Sequence, residues 1–177
     1  MAVSERTRAR FEASVSAHLD DAYNFARRLV GNGADAEDVV QDAALRALKA
    51  LERQEIERPR AWFLTIVRNC AHSFLARSRH ANVTLVDDMD TLDETAALAA
   101  LSAEDLEGAI IAAQDREAVQ RAIDGLPIAM REAIVLRDIN GLSYKEVAEA
   151  IGAPIGTVMS RLARARAALA QALQGSR

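Results

Sequence analysis

Aromatic side chains make up only 4% of the 177 residues, and there are just three prolines and eight glycines. Strands draw on aromatic and β-branched residues, so a sandwich, a barrel or a parallel-sheet nucleotide fold is disfavoured from the outset. The single cysteine, Cys70, cannot build a disulfide framework and suits a reducing cytoplasm. No window approaches the ~20 apolar residues of a membrane span, so no membrane insertion is expected. The first residues carry Arg6, Arg8 and Arg10 without an apolar stretch behind them, unlike a signal peptide. Catalytic patterns are missing too. No glycine-rich phosphate loop appears, and no serine or cysteine is paired with a base at motif spacing. His18, His72 and His80 are isolated, and Cys70 and His72 fall on different faces of a helix, so no metal quartet forms. The expectation is a protein with no catalytic residues, metal or cofactor, and not an enzyme.

What remains is helical. Half the residues are hydrophobic and 37 are alanine, the best helix former. Apolar residues recur every three or four positions almost throughout. Phe11, Val15, Leu19, Ala22, Ala26 and Leu29 predict one helix that stops near Gly31-Asn32-Gly33. Asp35 is the expected cap of a second, with Val39, Val40, Ala43, Ala47, Leu48 and Leu51 inward. Pro59 opens a third, whose stripe is Phe63, Val67, Cys70 and Phe74. A second module has helices before Gly125-Leu126-Pro127, up to Asn140-Gly141, from Ser143, and after Gly152-Ala153-Pro154 to about Leu173. The fold class is all-α, two small helical domains joined by a linker.

Net charge is −4, but it is unevenly spread. Residues 1–82 carry 13 bases and 11 acids, and residues 114–177 carry nine and seven. Residues 83–113 carry eight acids and no base. Two cationic stretches, residues 58–86 and 150–177, have no acid at all. Two phosphate-facing modules on either side of an anionic connector would give this pattern; solvated helix faces are the plainer explanation.

Three local patterns bear on function. Leu142 to Arg166 has helix-turn-helix grammar: a capped short helix packing through Val147 and Ile151, small Ala148, a turn at Gly152, then Val158 and Leu162. With that inner face fixed, Thr157, Ser160, Arg161 and Arg164 project outward, suited to base edges and phosphates. On the third helix, Trp62, Thr65, Asn69 and His72 lie at spacings of three and four beside Arg68 and Arg77. A ring, hydrogen-bonding groups and cations are what unstacked bases need, although Trp62 could equally be core. On the second helix, outward Leu45 beside Asp38, Gln41 and Asp42 suggests a protein-docking surface or a solvated face.

Taken together, these segments resemble the extracytoplasmic-function group of bacterial sigma factors, promoter-specificity subunits of RNA polymerase. Residues 35–45 (DAEDVVQDAAL) look like their polymerase-clamp helix, and residues 58–69 (RPRAWFLTIVRN) like the helix that melts and reads the −10 element. Leu126-Pro127, residues 139–148 (INGLSYKEVA) and residues 156–166 (GTVMSRLARAR) look like the −35-binding domain. The resemblance implies that Asp38, Gln41, Asp42 and Leu45 contact the clamp helices of the largest subunit, with the flap as a second polymerase contact. It implies −10 roles for Arg60, Trp62, Thr65, Arg68, Asn69, His72 and Arg77. It implies −35 roles for Ser143, Tyr144, Gly156, Thr157, Ser160, Arg161 and Arg164. The implied domains are residues 1–82, an acidic linker 83–113 that would thread a basic polymerase channel as a nucleic-acid mimic, and residues 114–177. Core polymerase, promoter DNA and an anti-sigma factor are the implied partners, in the cytoplasm. One departure is Met159, where the family commonly has lysine or arginine; an altered −35 preference is implied.

The strongest rival is an autonomous helix-turn-helix regulator, which predicts a dimer and a palindromic site. No dimerisation heptad is present, and the Trp62 face would have no use. RNA binding by that face alone would leave the duplex-reading module unexplained.

Overall fold

The computed structural model describes residues 4–81 and 116–174. They form helices only, with no strand, in two compact units. No helix among them is long and apolar enough to cross a membrane. The acidic stretch 83–113, and with it the expected threading segment, lies outside the described residues.

In the first unit, helix α1 (Glu5–Ser14) is capped by Ser4, whose hydroxyl accepts the Thr7 amide at 3.1 Å. The single helix expected from Phe11 to Leu29 is in fact broken. A 3₁₀ turn (Ser16–His18) separates α1 from α2 (Leu19–Val30). The four-residue spacing of Phe11, Val15 and Leu19 carries no mark of this break. Val15 turns fully inward, whereas Leu19 is left 38% exposed. Gly31 ends α2 at φ 92°, a left-handed conformation that glycine adopts without steric cost. Asn32 then caps α3 (Gly33–Leu51), its side-chain oxygen accepting the Asp35 amide at 2.9 Å. The cap is therefore Asn32, three residues before the expected Asp35. Asp35 sits in the first turn, where a carboxylate meets the positive end of the helix dipole. Helix α4 (Pro59–Ala81) begins on proline as expected.

The core of this unit is small and tightly packed. Ala36, Ala43 and Ala47 let α3 approach its neighbours closely, and Phe25, Leu51, Phe63, Leu64 and Val67 fill the space. Val40, Leu48 and Phe74, expected inside, are half-buried. Arg10 closes the far end by donating to the carbonyls of Leu51, at 2.7 Å, and Gln54. Those carbonyls lie at and just beyond the C-terminus of α3, where helical partners run out.

In the second unit, α5 (Arg116–Asp124) leads to α6 (Ile128–Ile134), which runs on as one π-helical stretch (Val135–Ile139). Asn140 closes that stretch by donating to the Val135 carbonyl at 2.8 Å. Helix α7 (Tyr144–Ile151) opens with a complete capping box. The Glu146 amide donates to Ser143 Oγ at 3.2 Å, and the Ser143 amide donates to the Glu146 carboxylate at 2.8 Å. Gly152, at φ 66°, ends α7 and turns the chain into α8 (Ile155–Gln174). Val158, Leu162, Ala165, Leu169 and Leu173 of α8 are all buried, as the periodicity predicts.

Candidate polymerase and nucleic-acid interfaces

The outer face of α3 holds Asp38 and Gln41, both exposed, and Leu45, 56% exposed. Asp42 is half-buried and accepts Nε and an Nη of Arg46 at 3.2 and 2.8 Å. That hydrogen bond holds the Asp42 carboxyl below its usual range and raises the Arg46 guanidinium. Between α3 and α4 lies a groove of about 260 Å³ lined by Asp38, Val39, Asp42, Arg46, Cys70, Phe74 and Arg77. At its floor the Cys70 thiol is 1% exposed, and burial pushes its pKa up to about 11. The face therefore offers an exposed carboxylate at Asp38, an Asp42–Arg46 ion pair and an exposed leucine, a combination suited to a protein partner with polar groups and an apolar pocket.

Helix α4 carries the candidate single-strand face. Asn69 and Arg77 are exposed, and Trp62, Thr65, Arg68 and His72 are half-buried. Trp62 is thus neither sealed core nor fully exposed. Thr65 donates its hydroxyl to the Ala61 carbonyl at 2.8 Å, so towards a ligand it acts as an acceptor. Arg60 departs from its sequence context. It comes from an acid-free stretch, yet it donates to Asp21 of α2 at 2.8 Å, with side chains 39% and 35% exposed. It fastens α4 to α2 as well as presenting charge.

In the second unit, α7 and α8 form the expected helix-turn-helix. Gly156 is exposed, and a Cβ there would meet nothing within 4 Å. Thr157, Ser160, Arg161 and Arg164 are half-buried along one side of α8. Ser160 donates to the Thr157 carbonyl at 3.0 Å, and Arg164 Nε donates to the Ser160 carbonyl at 3.4 Å. Ser143 is exposed, but its hydroxyl already donates to Glu146 at 2.7 Å. Tyr144 stacks on the Arg137 guanidinium, 4.7 Å from the ring centroid.

One cation of the acid-free stretch 150–177 is nonetheless paired. Arg166 is buried and donates through Nε and an Nη to both Asp138 oxygens, at 3.0 and 2.9 Å. The hydrogen bonds to Asp138 raise its already high pKa. This pair, 28 residues apart, pins α8 to the π-helical stretch, and no local pattern announces it. Two exposed apolar side chains were also missed, Ile139 (44%) and Ile155 (47%), while Met159, singled out in the sequence, is 55% exposed. Among the described residues no group of three or more histidines, cysteines or carboxylates is placed to hold a metal ion.

The two units correspond to two family models, sigma-70 region 2 over residues 15–81 and sigma-70 region 4 over residues 116–169. The chain is 34% identical over 149 residues to the ECF RNA polymerase sigma-E factor of Escherichia coli K12, covering 83% of this chain and 78% of that one. It is 33% identical to the ECF sigma factor SigE of Mycolicibacterium smegmatis, covering 86% of this chain and 57% of the relative. Among solved structures, the sigma factor RpoE of Bartonella quintana, crystallised with the anti-sigma factor NepR, matches with a TM-score of 0.71 and 26% identity over 94% of this chain and 98% of that one. CnrH, solved with the cytosolic domain of CnrY, matches with a TM-score of 0.64 and 26% identity over 96% and 91%. With both regions in order, and a third of the aligned residues shared with curated members, the chain belongs to the ECF family of RNA polymerase sigma factors, which direct the polymerase to promoters and are not themselves enzymes.

Proposed function

We propose that the two units divide promoter recognition between them. The first, residues 1–82, docks on the largest-subunit clamp helices through Asp38, Gln41, Asp42 and Leu45. It then captures the opened −10 strand with Arg60, Trp62, Thr65, Arg68, Asn69, His72 and Arg77. The second, residues 114–177, lays α8 in the major groove of the −35 duplex and meets the flap. There Thr157, Ser160, Arg161 and Arg164 reach bases and phosphates, Gly156 permits close approach, and Ser143 and Tyr144 contact the backbone beside it. The acidic residues 83–113 connect the units through a basic polymerase channel. An anti-sigma factor is the natural inhibitor, by analogy with the RpoE complex, and the working compartment is the cytoplasm.

The observation that carries this reading is the outer surface of α8. A helix held by Val158, Leu162 and Ala165 against its own domain, behind a left-handed turn at Gly152, carries half-buried hydroxyls and arginines along its outer side and not one acid. Such a face complements a polyanion.

Transcription by purified core polymerase on a promoter library, with and without the chain, tests it. The chain should confer start-site selection. Trp62→Ala should impair strand opening while leaving −35 protection intact. Arg164→Ala should lower the salt slope of promoter binding by about one unit per phosphate contact removed. If the pure chain finds its sites tightly and core polymerase adds nothing, the autonomous regulator takes its place.

A further inference from the structure

Helix α8 has two unlike edges. Thr157, Arg161 and Arg164 follow at steps of four and three along one side. Ile155, Met159 and Ala163 follow at steps of four along the other, and residues so spaced share a helix face. Gly156 and Ser160 lie between the edges, away from the buried Val158, Leu162 and Ala165. The first edge is polar and cationic; the second is apolar and open to solvent, with Ile155 47% and Met159 55% exposed.

An exposed methionine and isoleucine one turn apart form an apolar edge, and the surroundings indicate the chemistry that would fit it. No acid lies on α8 or anywhere from residue 150 onward, so the neighbouring charge complements a polyanion. Gly156 is a second indication. It stands in the first turn of a helix, where alanine would be more stable by up to about 1 kcal/mol, and a Cβ there would touch nothing. Nothing inside the domain needs that glycine, so the space beside Met159 is kept for something external that comes close. In the major groove the apolar group within reach of such an edge is the 5-methyl of thymine.

We infer that Ile155 and Met159 form a thymine-methyl reader, giving this chain a preference for one or two adjacent T·A pairs in the −35 element. This rests on α8 being the −35-reading helix. Arginines on the opposite edge fix the register on phosphates and guanine, and the methionine, flexible and polarisable, closes over the methyl group. A lysine or arginine at position 159 would add a cation and remove that selectivity.

The experiment uses holoenzyme built from core polymerase and the full chain, on a promoter selected from a randomised pool. Each −35 thymine is replaced singly by deoxyuridine, which lacks only the methyl. Binding should weaken about fourfold at one or two adjacent positions, the equivalent of one buried methyl at about 0.8 kcal/mol. With Met159→Ala the same replacement should cost nothing further, and with Met159→Lys the dependence should vanish while the salt slope rises by about one. Met159 is exposed, so both variants should unfold with the parent. If scrambling the −35 element abolishes binding yet deoxyuridine is tolerated everywhere, the methyl reader is wrong and the −35 assignment stands. If scrambling changes nothing, the underlying assignment is wrong as well. If Met159→Ala instead weakens binding to core polymerase without DNA, the edge is a protein surface and the inference falls.

Discussion

Arg166 shows how far a single residue can depart from its sequence neighbourhood. Arg161 and Arg164 face outward, and Arg166, two positions on, is buried against Asp138. A helix turns about 100° per residue, so positions two apart point in nearly opposite directions. With side chains 9% and 19% exposed, the pair is nearly dry, and removing one partner strands the other charge. Asp138→Ala should therefore cost the second unit about 3 kcal/mol in urea unfolding. Replacing both partners, Asp138→Leu with Arg166→Met, should recover most of that loss, because an apolar pair of similar volume removes the stranded charge. Arg60 belongs to the same class: its partner Asp21 comes from another helix, so the acid-free run around it concealed an ion pair.

At the level of elements, most of what was expected from periodicity is present. The inner stripes of α3, α4 and α8, the capping box at Ser143 and the turns at Gly31 and Gly152 could all be read because each depends on residues within four positions of one another. The break after Ser14 could not, since its apolar spacing is continuous and only tertiary packing turns Val15 inward. The π-helical stretch (Val135–Ile139) likewise has no local signature. The cap of α3 was misplaced because Asn32 and Asp35 are both good capping residues, and only the geometry separates them. That assignment is measurable. Asn32→Ala should lower the stability of the first unit by about 1 kcal/mol, and Asn32→Gly by only a few tenths, whereas an equivalent change at Asp35 should follow neither pattern.

For the whole molecule, charge says more about affinity than about fold. Each unit carries a net of about +2 against the eight acids between them, so neither grips DNA strongly alone, and the connector repels it. The free chain should bind promoter duplex near physiological salt only in the non-specific range, about 10⁻⁴–10⁻⁶ M. Held on the polymerase, the second contact becomes intramolecular, and anisotropy titration should show a gain of at least about 100-fold. The candidate surfaces on α3 and α8 could be seen in the sequence as outward faces. The exposure of Ile155 on α8 could not, because whether an apolar residue at a helix start is buried depends on where its neighbours end.

The groove floor between α3 and α4 carries a last consequence. The sequence contains one thiol, and at Cys70 it is sealed from solvent and, at neutral pH, kept protonated by burial. Peroxides and disulfides react with thiolates, so the Cys70 thiol is a poor target for them while the first unit is folded. Redox control through this cysteine would first require the α3–α4 packing over it to open.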